Sequence, residues 1–188
     1  TRQDSIRMKK LRIVLLVFII IISCFILQTS ILPMILSSDI TPNLMIIVTA
    51  SYGFMFGDRK GMCIGLVCGL LSDIYFGPLI GFEAGVYAVI GYFSGKFQKI
   101  LYVEDLAFPL SLIAVCDFVY GFLTFVFLFA MRNRLFMRAF LMQRMLPEMV
   151  YTLLAALPLY PLLRFLYNRY MRKKHHNPLE QGSVMKET

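Results

Sequence analysis

Residues 53–95, GFMFGDRKGMCIGLVCGLLSDIYFGPLIGFEAGVYAVIGYFSG, hold ten of the chain's twelve glycines. Gly53, Gly57, Gly61, Gly65 and Gly69 recur every fourth residue, Asp73 fills the next place, and Gly77, Gly81 and Gly85 resume the ladder. Residues four apart stack on a helix with a drift of about 40° per step, so Gly61, Gly65 and Gly69 leave a strip of bare backbone. In water such a helix is poor, because each interior glycine costs about 1 kcal/mol against alanine. In a bilayer the same residues let neighbouring helices approach closely. The stretch therefore predicts a membrane bundle with a tight centre, divided among three spans by Asp58-Arg59-Lys60 and by Gly77-Pro78.

Composition agrees. The 188 residues suffice for one domain, and 59% hydrophobic with 16% charged residues belongs to an integral membrane protein. The first apolar run is too long for a cleaved signal peptide and continues into a full span. Cys24, Cys63, Cys68 and Cys116 all lie in apolar runs without C-x-x-C spacing and read as small soft hydrophobes. The net charge of +8 flanks the apolar runs instead of forming a basic soluble face, so it predicts membrane orientation and not nucleic-acid binding.

The predicted architecture is an all-α, six-helix transmembrane bundle. A basic cytoplasmic N-terminus (1–10) leads into a membrane domain over 11–168, with spans at about 11–32, 42–56, 61–76, 81–97, 106–130 and 147–167; a polar, disordered cytoplasmic tail covers 169–188. A short loop with Pro33 follows the first span. Pro42 suits the first turn of the second, and Pro158 and Pro161 predict a kink in the sixth. Residues 131–145, MRNRLFMRAFLMQRM, set Arg134 and Arg138 on one face and Phe136 and Phe140 on another, as in a helix lying in the interface. With both termini inside, fifteen of the nineteen Lys and Arg face the cytoplasm. The exceptions are the arginines of 131–145.

Three carboxylates fall toward the outer side in this topology: Asp73 closing the third span, Glu83 opening the fourth and Glu148 opening the sixth. Glu83 and Glu148 suit helix starts, where the dipole favours an acid. Asp73 sits at a helix end, where the dipole is unfavourable, and so calls for a specific partner. The expected partners of the outer acids are Arg134, Arg138 or Arg144, which would fold the basic segment over the bundle mouth. Asp117, near the middle of the fifth span, is either satisfied by a hydroxyl within the bundle or held without charge. Helix packing is assigned to Pro42, Gly61, Gly65, Gly69, Gly77, Gly81, Gly85 and Gly91.

Neither a phosphate-cradling loop nor G-x-S-x-G nor H-E-x-x-H occurs, and the histidines, His175 and His176, lie in the tail. An enzyme, a metal site and a cofactor are not expected.

Pro42-Asn43-Leu44, the ladder ending in Gly69-Leu70-Leu71-Ser72-Asp73, then Gly77, Gly81, Gly85, Gly91-Tyr92 and Gly95 resemble the bacterial rod shape-determining MreD family over roughly residues 8–170. The positions matching its pattern are Pro42, Gly65, Gly69, Asp73, Gly77, Gly81 and Gly91. Asn43 departs from it, since an acid is commonly found after the proline. The resemblance implies a plasma-membrane subunit of the cell-elongation machinery, without catalytic residues, and a fold similar to the substrate-binding subunits of energy-coupling-factor transporters. It also implies MreC as binding partner, the penicillin-binding transpeptidase and the rod-complex glycosyltransferase directly or through MreC, and MreB filaments indirectly.

Two classes of function follow. As an interaction protein, the bundle offers a face to the MreC transmembrane helix. As a transporter subunit, it would hold a small molecule in a pocket at Asp73, Glu83 and Asp117. The first span has no alanine for the alanine-xxx-alanine face those transporter subunits use. Its Ile and Leu surface reads as lipid-facing, with membrane lipids as neighbours. Outer arginines touching a lipid pyrophosphate form a third, weaker reading.

Overall fold

The computed structural model describes residues 2–36, 40–76, 80–100, 107–132 and 145–171. Six helical rods result. The first joins α1 (Arg2–Ile26), a π-helical turn (Leu27–Ile31) and α2 (Leu32–Leu36); then come α3 (Leu44–Phe56), α4 (Asp58–Phe76), α5 (Phe82–Ile100), α6 (Ala107–Arg132) and α7 (Leu146–Met171).

The first rod corrects one expectation. Pro33 stands not in a loop but inside the helix, just after the Leu32 amide has bonded back five residues to the Leu27 carbonyl. A proline ring clashes with the carbonyl four residues earlier, and the wider π turn relieves that clash. The rod also begins at Arg2, so the basic N-terminus is helical.

α3 is the centre. Met45 through Ala50 are fully enclosed, and the helix is apolar all round, as a helix surrounded by others must be. Its connection to α4 is one residue, Gly57, whose φ of 88° is open to glycine at little cost. The Gly57 amide donates to the Gly53 carbonyl, and the Gly57 carbonyl accepts from the Gly61 amide. Asp58-Arg59-Lys60 therefore form the first turn of α4 and not a loop.

α4 and α5 lie antiparallel with backbone against backbone. A Cβ at Gly61 would strike the Gly91 carbonyl, one at Gly65 the Tyr87 carbonyl, one at Gly69 the Glu83 carbonyl and Ala84, and one at Gly95 the Asp58 backbone. Gly53 of α3 joins the same crossing, its Cβ falling 2.8 Å from the Gly91 oxygen. Gly81 and Gly85 do not take part in this packing. A Cβ at either would meet nothing within 4 Å, because Gly85 is turned outward and Gly81 lies in the turn before α5, with φ of 105°.

Among the described residues, three stretches are long and apolar enough to cross a membrane, Leu11–Ile35, Ala107–Phe127 and Leu146–Arg169, and α3 is a shorter apolar helix. α4 and α5 carry Asp58, Arg59, Lys60, Asp73, Glu83 and Lys96. α7 runs through Pro158 and Pro161 to Met171, past the expected start of the tail. Gly77, Arg134, Arg138, Arg144 and residues 172–188 lie outside the described residues, as does nearly all of the basic segment.

Candidate functional site

The polar side chains gather where α3 begins. Helix starts leave amide hydrogens without intrahelical partners, and inside a bilayer water does not satisfy them. At α3 each of the first amides is accounted for. Asn43 is the N-cap, its side-chain oxygen accepting from the Ile46 amide at 3.3 Å. The Asn43 amide donates to Thr152 Oγ1 of α7 (3.1 Å), the Met45 amide to Gln28 Oε1 of the π turn (3.2 Å), and the Leu44 amide to the Pro42 carbonyl (3.2 Å). Pro42 itself stands before the cap, outside the helix.

The cap extends into α5 and α6. Tyr87 Oη donates to Asn43 Oδ1 at 2.9 Å, and the Tyr87 ring meets Tyr120 edge to face, centroids 5.3 Å apart. Tyr120 Oη donates to Glu83 Oε1 at 3.3 Å. Thr152 Oγ1 donates in turn to the Glu148 carbonyl at 2.8 Å. One buried layer thus ties α3 to the π turn, α5 and α7, and through the Tyr87–Tyr120 contact to α6.

Asp73 has a partner, and it is backbone. Only 2% of its surface is exposed. One carboxylate oxygen accepts from the Gly81 amide (2.8 Å) and the Ala84 amide (2.9 Å), and the other from the Glu83 amide (2.9 Å). Gly81 precedes α5 and has no side chain with which to cap it. Asp73, from the last turn of α4, performs that task for the neighbouring helix. The unfavourable dipole at the end of α4 is answered by the favourable one at the start of α5. Both oxygens are therefore engaged by amides of α5. Glu83, 8% exposed, occupies the first turn of α5 as expected and also accepts from Tyr120.

Asp117 is buried on α6 near Thr152, whose hydroxyl hydrogen goes to the Glu148 carbonyl. Glu148 is in the first turn of α7. The structure thus brings Asp73 and Glu83 together at the α5 start, with Asp117 and Glu148 on the α6 and α7 side. Of the residues that join them, Gln28, Tyr87 and Thr152 were not singled out by sequence reasoning, and Asn43 only as a departure from a pattern. A polar residue inside an apolar span was the available signal.

All four cysteines are free; Cys24, Cys68 and Cys116 are buried, and Cys116 Sγ lies 3.4 Å from Ser94 Oγ. Among the described residues no group of three His, Cys, Asp or Glu is arranged to hold a metal. What this layer does chemically is fix helices: its donors and acceptors are turned on one another.

The family model for rod shape-determining protein MreD matches residues 8–170. No curated protein and no solved structure matches the chain. A match over nearly the whole length, on a helical chain with three stretches apolar enough to cross a membrane, places this protein in the MreD family of rod shape-determining membrane proteins.

Proposed function

We propose that the chain is a non-enzymatic, six-span subunit of the bacterial cell-elongation complex, set in the plasma membrane with both termini cytoplasmic, that binds MreC and helps to organise peptidoglycan synthesis. The family match over residues 8–170 carries this reading. The bundle's chemistry supports it: the buried polar groups of the described layer hold helices together, while α6 and α7 turn Val115, Phe118, Phe122, Leu154 and Leu157 outward. An apolar face of that kind suits a single transmembrane helix packing from the side. Contact with the penicillin-binding transpeptidase and the glycosyltransferase is direct or through MreC, and contact with MreB is indirect. Arg134, Arg138 and Arg144 are the candidate polar contacts of the outer side.

The transporter reading gains less. Asp73 and Glu83 at the proposed pocket are engaged by amides and by Tyr120, and the apolar cleft of the bundle lies at the other end of α3. Pull-down from membranes of the source bacterium, followed by mass spectrometry, tests the choice. Recovery of MreC and wall synthases is expected, and recovery of an ATPase module in their place would overturn the proposal.

A further inference from the structure

The outward face of α7 is apolar and carries the helix's two inner prolines. Leu146, Val150, Leu154, Leu157, Pro161 and Phe165 recur every three or four residues and are all exposed, as is Pro158. Thr152, Ala156, Tyr160 and Leu163 are buried on the opposite face. At 1.5 Å per residue the exposed stripe is about 29 Å long, close to the thickness of the hydrocarbon layer. A partner that covers it is therefore a spanning helix and not a loop.

Two backbone carbonyls on this stripe lack their regular donors. Proline has no N–H, so Pro158 and Pro161 leave the carbonyls of Leu154 and Leu157, four residues earlier, without the usual helical bond. Each ring stands over the carbonyl it leaves, so both acceptors lie beside exposed prolines. Pro33 is relieved by the π turn before it, whereas α7 stays α-helical from Leu146 to Met171. Among the described residues no side chain donates to either carbonyl. Lipid tails have nothing to donate, and prolines are accommodated within membranes where hydroxyl side chains or neighbouring helices supply the lost donors. A second copy meeting α7 with its own α7 about a two-fold axis would set acceptor against acceptor, because the stripe contains no hydroxyl or amide side chain.

On the reading that a single spanning helix packs beside the bundle, we propose that its contact is the proline stripe of α7, where serine, threonine or asparagine side chains of that helix donate to the Leu154 and Leu157 carbonyls. The leucines, Val150 and Phe165 pack against the apolar remainder of the partner, and the prolines hold the two acceptors open for it.

The full-length chain is co-expressed with MreC, with the photo-crosslinking residue benzoylphenylalanine in place of Leu157 or, as control, of the outward-facing Phe18 of α1. MreC should be crosslinked from position 157 and not from position 18. Recovery of MreC without a crosslink at 157 would overturn the α7 contact and leave MreC binding intact, whereas failure to recover MreC at all would overturn both. Pro158→Ala combined with Pro161→Ala returns helical donors to both carbonyls, so the double variant should melt no lower than the wild type yet recover about tenfold less MreC. Unchanged recovery would overturn the proposal. Changing each serine, threonine and asparagine of the MreC helix to alanine in turn should weaken binding to the wild-type chain and not to the double variant. Equal weakening in both, or none in either, would overturn the proposal, because those side chains would then not be bonded to these carbonyls. A double variant that fails to fold is replaced by Pro161→Ala alone, with an expected loss of about threefold.

Discussion

The Gly61 and Gly91 backbones touch, each occupying the space in which a Cβ on the other helix would stand. With the Gly65–Tyr87, Gly69–Ala84 and Gly95–Asp58 contacts it sets the distance between α4 and α5, and Gly53 of α3 presses on the same point.

Leucine at Gly61, Gly65 or Gly91 should force these helices apart. Overpacking a close core costs about 1–3 kcal/mol, and backbone yields less than side chain, so the upper end applies. Thermal melts of the detergent-purified protein should show the drop for all three variants. Gly85→Leu, with open space around it, should melt with the wild type; a comparable loss there would mean that the contact faces are misassigned.

Asp73 should be graded in its replacements. Asp73→Asn keeps one acceptor oxygen and loses the charge, while Asp73→Ala leaves the Gly81, Glu83 and Ala84 amides without their acceptor. Loss of a helix cap typically costs about 1 kcal/mol, and a buried unpaired donor about 1–3 kcal/mol. The expected order of stability is wild type, then asparagine, then alanine. Charge reversal at Asp73 should not be rescued by a reversed charge at Arg134, Arg138 or Arg144, and rescue at any of the three would show that an ion pair matters more than the cap.

Asn43→Asp should be tolerated, because a carboxylate accepts from both the Ile46 amide and Tyr87 Oη as the amide oxygen does. Asn43→Leu should destabilise by about 1–3 kcal/mol, through the same two donors left unanswered. A double-mutant cycle of Asn43→Ala with Tyr87→Phe should return a coupling of about 0.5–3 kcal/mol. A coupling of zero would remove Tyr87 from the cap.

Gln28→Leu should loosen the first rod. Gln28 accepts the Met45 amide hydrogen, while the outer face of α1, with Leu11, Val14, Leu15, Phe18 and Ile19, is turned away from the bundle. Cysteine accessibility or proteolysis near residues 11–26 should rise more than at α4 or α5.

The glycine ladder made the α4–α5 contact legible, because a bare strip of backbone has few uses in a membrane other than close approach. Its arithmetic failed at Gly85. The contact face of α5 runs through Ala84, Tyr87, Gly91 and Gly95, steps close to the helical period, and Gly85 lies about 100° off that face. The partner of Asp73 was not legible for another reason. Sequence spacing suggests which side chains carry opposite charge, but amide hydrogens belong to every residue, and which of them lie open depends on where a helix begins in space. The same holds for Asn43, Tyr87 and Thr152, which lie on three different helices and meet only once α3 is enclosed.

α3 has a consequence for how the protein is made. Its thirteen residues rise about 20 Å, while the hydrocarbon layer is about 30 Å thick. On its own it would leave the layer unspanned and would leave the Asn43 and Met45 amides unanswered, since Thr152 and Gln28 stand on other helices. A nascent chain therefore has reason to delay the release of this segment from the translocon until α7, which carries Thr152, has been synthesised. The order of assembly would then be set by the helix that needs company most, not by the order in which the ribosome delivers them.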